Sequence, residues 1–246
     1  MATADGTSIL AAARVRKRFD AVVVLEDVDF VLAAGEAVGI VGPNGAGKTT
    51  LLNVLSGALQ PNMGTVRFDG ADVTGRGVAQ RCRLGIARAH QIPKPFGGMT
   101  AFENVFVAAA MGGGGKRDVA YRQCIDALDR CEMLAVGNRR AETLGLLDRK
   151  RLELARALAT DPVVLLLDEI AAGLTDAEAS TLVETIRELR RQGIAIVWIE
   201  HIVHVLVEVV GRLVCMDAGR VIADGDPGAV MADAAVIDAY LGSGVA

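Results

Sequence analysis

The stretch that decides the fold is Glu36-Ala-Val-Gly-Ile-Val41, followed directly by Gly42-Pro43-Asn44-Gly45-Ala46-Gly47-Lys48-Thr49-Thr50. An apolar run of strand length leads into a glycine-rich turn, and a helix is predicted from about Lys48 to Ser56. The turn matches the pattern G-x4-G-K-[ST], in which glycines let the backbone bend so that several N–H groups point at one anion. We therefore predict a phosphate-binding loop between a buried strand and a helix.

Two residues of this loop are assigned specific chemistry. Lys48 is expected to neutralise β- and γ-phosphate oxygens, and the Thr49 hydroxyl is expected to bind Mg2+. The alternative is a chance glycine-rich turn. It is disfavoured because the motif needs a strand before it and a helix after it, and both are predicted here.

Two further apolar runs end in polar residues. Val163 to Asp168 is followed by Glu169, and Ile194 to Ile199 is followed by Glu200 and His201. The carboxyl ends of buried parallel strands meet at the ligand edge of a sheet. We expect Asp168 to hold Mg2+ through water, Glu169 to polarise an attacking water, and His201 to contact the γ-phosphate. The alternatives are an ordinary strand end or helix cap for the acidic pair and a structural role for the histidine.

The remaining patterns predict an α/β fold with a parallel sheet, an antiparallel β subdomain and an inserted helical subdomain. Val22 to Val31 and Gly64 to Asp69 are predicted antiparallel strands. Thr100 to Ala110, Arg117 to Leu134 and Arg149 to Ala159 are predicted helices, and Gly112 to Gly115 is a predicted flexible loop. Thr175 and Glu178 form a capping box for a helix that ends near Arg191. We expect a single domain over 1–246, with a core at about 1–90 and 161–246 and a helical lobe at 91–160.

Composition excludes several classes of protein. The chain has 246 residues, 52% of them hydrophobic, and a formal charge of −4, which provides no basis for nucleic-acid binding. Four cysteines include no C-x-x-C pair, and free thiols suit a reducing cytoplasm. Cys124 and Cys131 are seven residues apart and are expected to be small buried apolar residues. No run reaches 18 apolar residues, and Met1 to Leu10 does not resemble a signal peptide.

The order of these motifs resembles the ATP-binding subunits of ABC transporters, over about residues 9–241. Four segments are similar to one of the two ATPase subunits of branched-chain amino-acid importers: Gly85 to Arg88, Phe96 to Val105, Glu200-His201 and Val236 to Gly242. The resemblance implies ATP hydrolysis coupled to transmembrane transport, with ATP and Mg2+ as ligands. It also implies that Gln91 joins the Mg2+ and water shell and that Phe19 stacks on adenine. The alternative for Phe19 is an ordinary core phenylalanine.

The resemblance further implies partners and a location. Two ATPase subunits close head to tail around two ATP molecules, at the cytoplasmic face of the inner membrane, against transmembrane permease subunits. A periplasmic binding protein takes part indirectly, and Phe96, Met99 and Phe102 are candidate permease contacts, with packing inside the lobe as the alternative. Urea import, lipopolysaccharide export, a non-transport ABC ATPase and a regulatory subunit without turnover remain alternatives.

One motif departs from the family pattern. The family's cross-dimer motif is Leu-Ser-Gly-Gly-Gln, whereas this chain has Leu144-Gly145-Leu146-Leu147-Asp148. The serine is missing, a leucine replaces a glycine that permits close approach, and Asp148 would repel a triphosphate, although it could cap the following helix. We therefore expect a heterodimer, rather than a homodimer, in which a second ABC ATPase subunit supplies an intact motif.

Overall fold

The computed structural model describes residues 8–112 and 116–242, which form two sheets surrounded by helices. The strands are β1 (Ser8–Phe19), β2 (Val22–Ala33), β3 (Ala37–Val41), β4 (Met63–Phe68), β5 (Ala71–Asp72), β6 (Ile86–Ala89), β7 (Val164–Asp168), β8 (Ala195–Ile199), β9 (Arg212–Asp217) and β10 (Arg220–Gly225). The helices are α1 (Lys48–Ser56), α2 (Val78–Leu84), α3 (Ala101–Gly112), α4 (Arg117–Arg130), α5 (Leu146–Leu158), α6 (Asp176–Arg191), α7 (Val203–Val207), α8 (Pro227–Met231) and α9 (Ala234–Gly242). Short 3-10 helices lie at Leu134–Val136 and Ala141–Thr143.

The larger sheet has the strand order β10-β9-β3-β8-β7-β6. From β9 through β3, β8 and β7 to β6, each pair of neighbouring strands is parallel. β10 pairs with β9 in antiparallel orientation at one edge. All residues of β3, β7 and β8 are buried, as expected for strands covered on both faces. The prediction of a parallel sheet from the three apolar runs is confirmed.

The smaller sheet is antiparallel, in the order β2-β1-β4-β5. The predicted strands Val22 to Val31 and Gly64 to Asp69 are β2 and β4, so the antiparallel part of the fold is confirmed. β1, β5, β6, β9 and β10 were not predicted from the sequence. Arginines interrupt β1 and β6, so neither shows the clean apolar run that identified the central strands.

The five predicted helices, α1 and α3 to α6, lie close to their predicted bounds, with one start corrected, whereas α2, α7, α8 and α9 were not predicted. α1 begins and ends as predicted, and α6 follows Thr175, whose side chain accepts a hydrogen bond from the Glu178 N–H. α5 begins at Leu146 rather than Arg149, because Gly145 is extended and acts as the N-cap. α4 ends at Arg130, four residues earlier than predicted. Of the predicted glycine loop, Gly112 ends α3, and residues 113–115 lie outside the described part of the chain.

The core consists of two clusters on opposite faces of the larger sheet. Leu165 and Leu167 of β7 join the cluster that includes α3 to α6, whereas Leu166 joins the cluster formed with α1 and the antiparallel sheet. This alternation follows from the two-residue period of a strand. Cys124 and Cys131 lie in the first cluster, and burial raises the pKa of each thiol to about 12. Their interpretation as small buried residues is confirmed.

Candidate nucleotide-binding site

The loop between β3 and α1 has a backbone that requires glycine at two points. Gly42 has φ 139°, and a Cβ there would lie 2.0 Å from the carbonyl oxygen of Met216 in β9. Gly47 has φ 99°, and a Cβ there would lie 2.8 Å from the carbonyl oxygen of Val24 in β2. Any other residue would be strained at both positions. The loop is thus pressed against two strands from different sheets.

The amino end of α1 is suited to an anion. Its N-cap is Gly47, which has no side chain, and its first turn contains no acidic residue. The first N–H groups of a helix have no partner inside the helix, and the helix dipole places partial positive charge there. Backbone donors and dipole therefore favour a phosphate at this point.

Lys48 is the first residue of α1 and is 6% exposed. Its Nζ donates hydrogen bonds to the carbonyl oxygens of Gly42, at 2.6 Å, and Pro43, at 2.9 Å. Burial lowers the pKa of Lys48, and the nearby Glu169 carboxylate opposes this shift. The ammonium is therefore held inside the curve of the loop, with carbonyl partners that a phosphate could replace.

A cavity of about 180 Å3 opens over this loop. It is lined by Val24, Asn44, Gly45, Ala46, Gly47, Lys48, Thr49, Thr50 and Glu169. Most of the predicted cradle residues thus share one space with the predicted water-polarising glutamate. Gly42 and Pro43 lie at the base of the loop, outside the lining.

The structure brings three predicted residues together at the sheet edge. Gln91 follows β6, Glu169 follows β7 and His201 follows β8, because these parallel strands end side by side. Gln91 Nε2 donates to Glu169 Oε2 at 2.5 Å, and His201 Nε2 lies 2.8 Å from Glu169 Oε1. Both carboxylate oxygens of Glu169 therefore have a polar partner.

The backbone at Glu169 has an unusual conformation. Glu169 has φ 47°, in the left-handed region, while its N–H donates to the Ile199 carbonyl oxygen at 2.9 Å. Such a conformation is uncommon in a non-glycine residue and persists only where the surroundings hold it. Here it turns the chain sharply as β7 ends, so Asp168 and Glu169 have different surroundings.

Asp168 ends β7 and forms an ion pair that the sequence analysis did not predict. Arg88 of β6 donates through Nη2 to Asp168 Oδ2 at 2.6 Å and through Nη1 to Asn53 Oδ1 at 2.5 Å. The side chains of Arg88 and Asp168 are 11% and 8% exposed. This pair therefore ties α1, β6 and β7 together beside the phosphate loop.

A second unpredicted cation lies next to Gln91. Lys150 of α5 donates through Nζ to the Gln91 carbonyl oxygen at 2.6 Å, and it lies 3.5 Å from the Glu169 carbonyl oxygen. It is 3% exposed, and burial lowers its pKa. Lys150 is the fifth residue of α5 and lies in a charged stretch of the sequence that predicts a solvated helix face, so only its contacts reveal this role.

Glu200 is a buried acid whose carboxylate accepts hydrogen bonds from two neighbouring segments of the chain. It is 2% exposed, and its Oε1 accepts hydrogen bonds from the Ala171 N–H at 2.7 Å and from Trp198 Nε1 at 3.3 Å. Burial raises the pKa of Glu200. It therefore holds the segment after Glu169 against β8, directly before His201.

Phe19 lies at the end of β1 and is 44% exposed, so it is not the core residue of the alternative reading. Lys17 Nζ lies 5.2 Å from its ring centroid. Phe19 is outside the lining of the cavity over the phosphate loop. Its contact with adenine stays a prediction.

The altered motif lies at the amino end of α5. Leu144 is buried, whereas Leu146, the first residue of the helix, is 45% exposed. Asp148 lies within the first turn, and Gly145 is the N-cap, so the expectation that Asp148 caps this helix is wrong. Leu146, Leu147 and Asp148 thus occupy the helix end where the family pattern has small or neutral residues.

These features define a class of protein. A phosphate loop between a buried strand and a helix, facing an acidic edge of a parallel sheet, is the arrangement of P-loop nucleotide-binding proteins. Within the described part of the chain, no helix is long and apolar enough to cross a membrane.

Comparison with known proteins narrows the class to a family. The model of the ABC transporter family matches residues 25–172, and a model described as branched-chain amino acid ATP-binding cassette transporter matches residues 220–246. The chain belongs to the ABC transporter family, as its ATP-binding subunit, with ATP hydrolysis coupled to transport.

Named relatives cover nearly the whole chain. The high-affinity branched-chain amino acid transport ATP-binding protein LivG of Salmonella typhimurium is 34% identical over 249 residues, which are 95% of this chain and 98% of that protein. LivG of Escherichia coli is 35% identical, covering 92% and 94%, and BraF of Pseudomonas aeruginosa is 33% identical, covering 95% and 98%.

Solved structures agree with the fold. A nucleotide-free ATP-binding cassette from an ABC transporter is similar with a TM-score of 0.87 and 27% identity, over 95% of this chain and 98% of that one. An ATP-binding cassette in its ADP conformation is similar with a TM-score of 0.87 and 28% identity, over 96% and 99%. The predicted fold class is confirmed.

Proposed function

We propose that this chain is the ATP-hydrolysing subunit of an importer of branched-chain or other hydrophobic amino acids. The observation that carries the ATPase part is the cluster of Gln91, Glu169 and His201 beside the phosphate loop. The solute rests on the relatives named above and on the match of residues 220–246. Urea, lipopolysaccharide and non-transport roles lack a comparable observation.

In this proposal the phosphate loop holds the triphosphate. Backbone N–H groups between Gly42 and Thr50 and the Lys48 ammonium contact the phosphates. Phe19 stacks on the adenine ring, a contact that its 44% exposure permits. Binding would move the Lys48 ammonium from the Gly42 and Pro43 carbonyl oxygens to phosphate oxygens.

The donor set near the loop fits a hard divalent cation such as Mg2+. The exposed Thr49 hydroxyl, the Asp168 carboxylate and the Gln91 amide oxygen are the oxygen ligands that this ion prefers. When bound, the ion would neutralise charge on the β- and γ-phosphates. The Gln91 amide nitrogen already faces Glu169, which leaves its oxygen for this role.

Glu169 is proposed to polarise the attacking water, and His201 to contact the γ-phosphate. Gln91 contacts one oxygen of the Glu169 carboxylate and His201 contacts the other. These two contacts orient the carboxylate before water arrives. In this way the cluster reduces the entropy cost of placing the base. A base within hydrogen-bond reach of the water is the first requirement for this chemistry.

We propose that the chain works in a heterodimer. Leu146 and Asp148 lie at the amino end of α5, where a partner's triphosphate would have to approach closely. Apolar bulk and a like charge both disfavour that approach. In the complementary site, this chain's phosphate loop, Asp168, Glu169 and His201 would meet an intact motif of the second subunit.

We propose that the chain lies peripherally at the cytoplasmic face of the inner membrane. There it would bind permease subunits that receive solute from a periplasmic binding protein.

Reconstitution tests this function. The chain, its partner ATPase and the permeases are placed in vesicles, and leucine-loaded binding protein is added. ATP hydrolysis should rise with leucine-loaded binding protein, and leucine should accumulate. Stimulation by urea-loaded or other binding proteins instead would overturn the solute, whereas hydrolysis by the vesicles without any binding-protein response would overturn the importer role.

A further inference from the structure

The carboxyl-terminal helix reaches the first residue of the phosphate loop. Tyr240 of α9 accepts a hydrogen bond on its hydroxyl oxygen from the Gly42 N–H, at 2.9 Å, across 198 residues of sequence. The Gly42 N–H lies at the base of the loop, before the donors that face the cavity. A side chain from the last described helix thus provides the partner of a loop N–H.

The same glycine contacts the phosphate-binding lysine through its other polar group. The Gly42 carbonyl oxygen accepts from Lys48 Nζ at 2.6 Å. Gly42 also has φ 139° and lies tightly against the Met216 backbone, so it has little room to shift. One residue therefore joins Tyr240 on one side to Lys48 on the other.

The hydroxyl of Tyr240 is protonated at neutral pH. Tyr240 is 38% exposed, and desolvation of its hydroxyl raises the pKa of Tyr240 above the ordinary value of 10. A neutral hydroxyl accepts one hydrogen bond and can donate another, and the contact with the Gly42 N–H uses its acceptor side.

We propose that Tyr240 is a positioning residue for nucleotide: by holding the Gly42 peptide, it sets the curve of the loop and the starting position of Lys48. The inference rests on the proposed phosphate loop and adds a role for α9. Because coupling between two sites is reciprocal, nucleotide binding must also stabilise the docking of α9. Tyr240 does not contact the reacting atoms, and its effect on nucleotide is transmitted through Gly42.

The chain offers a matched control, because its two tyrosines differ in their surroundings. Tyr121 lies in α4, is 53% exposed and packs near Phe102, far along the chain from the loop. Tyr240→Phe and Tyr121→Phe each remove one hydroxyl. Calorimetric titration with ADP in the absence of magnesium compares the two variants with the unmodified chain.

Tyr240→Phe should weaken ADP binding about three- to tenfold, as expected for loss of one neutral hydrogen bond, and Tyr121→Phe should leave it unchanged. In the assembled ATPase, Tyr240→Phe should raise KM for ATP with kcat unchanged, a split that general destabilisation would not produce. Equal ADP affinity in Tyr240→Phe and the unmodified chain would overturn the inference.

A measurement without any substitution provides the second test. ADP should slow amide hydrogen exchange in the segment Ala234–Gly242, because the bound loop holds Gly42 against Tyr240. Unchanged exchange there on ADP binding would overturn the inference, while the phosphate loop itself would stand. An unmodified chain that does not bind ADP would instead overturn the proposed phosphate loop.

Discussion

Arg88 and Asp168 form an ion pair at 2.6 Å between two neighbouring parallel strands, at the edge where the proposed metal ligand Asp168 lies. Arg88 also donates to Asn53 of α1, the helix that begins at the phosphate loop. The arginine thus orients the carboxylate before any cation arrives. Arg88 also compensates the negative charge of Asp168, which is nearly buried.

Substitution of Arg88 by Met should destabilise the nucleotide-free chain. Removal of one partner leaves the buried Asp168 carboxylate unpaired, at a cost of about 3 kcal/mol in the free energy of unfolding. Denaturant unfolding of the chain without nucleotide measures this. Arg191→Met is the control, because the carboxylates that pair with Arg191 in the described part of the chain are exposed, and this substitution should cost less than about 1 kcal/mol. Similar losses for both variants would contradict the role of Arg88.

Substitution of Glu169 by Gln should abolish hydrolysis while ATP binding persists. The amide keeps the size of the side chain and cannot take a proton from water, so turnover of the assembled ATPase should fall about 100- to 10,000-fold. Phosphate release and ATP titration are measured side by side. The exposed Glu208 of the ion pair with Arg187 provides the control Glu208→Gln, which should retain full turnover. Turnover in Glu169→Gln comparable to this control would show that another base acts.

Substitution of Lys48 by Ala should weaken nucleotide binding and hydrolysis together. The loop loses its one buried cation, and a charged hydrogen bond is worth roughly 1.5–3 kcal/mol, or about ten- to a hundredfold in affinity. Titration with ATP measures the loss. Lys116→Ala removes an exposed lysine at the start of α4 and should bind ATP normally. An unchanged affinity in Lys48→Ala would argue against the cradle.

Restoration of the family motif should allow the chain to work alone. The combined change Gly145→Ser, Leu146→Gly, Leu147→Gly and Asp148→Gln removes bulk and charge at the amino end of α5. Hydrolysis by the purified chain should rise at least about tenfold, since one well-placed donor to a developing charge is worth more than that. Addition of Glu169→Gln should remove the gain. Full activity of the unmodified chain by itself would refute the heterodimer.

Glu200 should make stability depend on pH. Its folded pKa is raised above the ordinary value of 4.5 by burial, so its contribution to stability is present below about pH 4.5 and is lost as pH rises through the folded pKa. Glu200→Gln keeps an oxygen to accept the Ala171 N–H and removes this titration. The difference in Tm between variant and unmodified chain should therefore grow in favour of the variant from acid to neutral pH. A difference that is constant with pH would contradict the assignment.

Local sequence patterns were sufficient to predict the secondary-structure elements that carry the site. The buried strands, the start of α1 and the capping box at Thr175 follow from apolar runs, glycine positions and side-chain caps within a few residues. The convergence of Glu169 and His201 also followed, because parallel strands place their carboxyl ends together, whereas Gln91 was assigned only through the family resemblance. The start of α5 was misplaced, because a glycine N-cap leaves no polar signal in the sequence.

By itself, then, the sequence determined that a phosphate loop, an acidic strand end and a parallel sheet exist in this chain, since each depends on neighbours along the backbone. Only the tertiary structure decided which distant groups complete the site. Arg88 meets Asp168 across 80 residues, Lys150 meets Gln91 across 59, and Tyr240 meets Gly42 across 198. Such contacts depend on strand order and helix packing, and no local pattern encodes which side chain arrives from so far away.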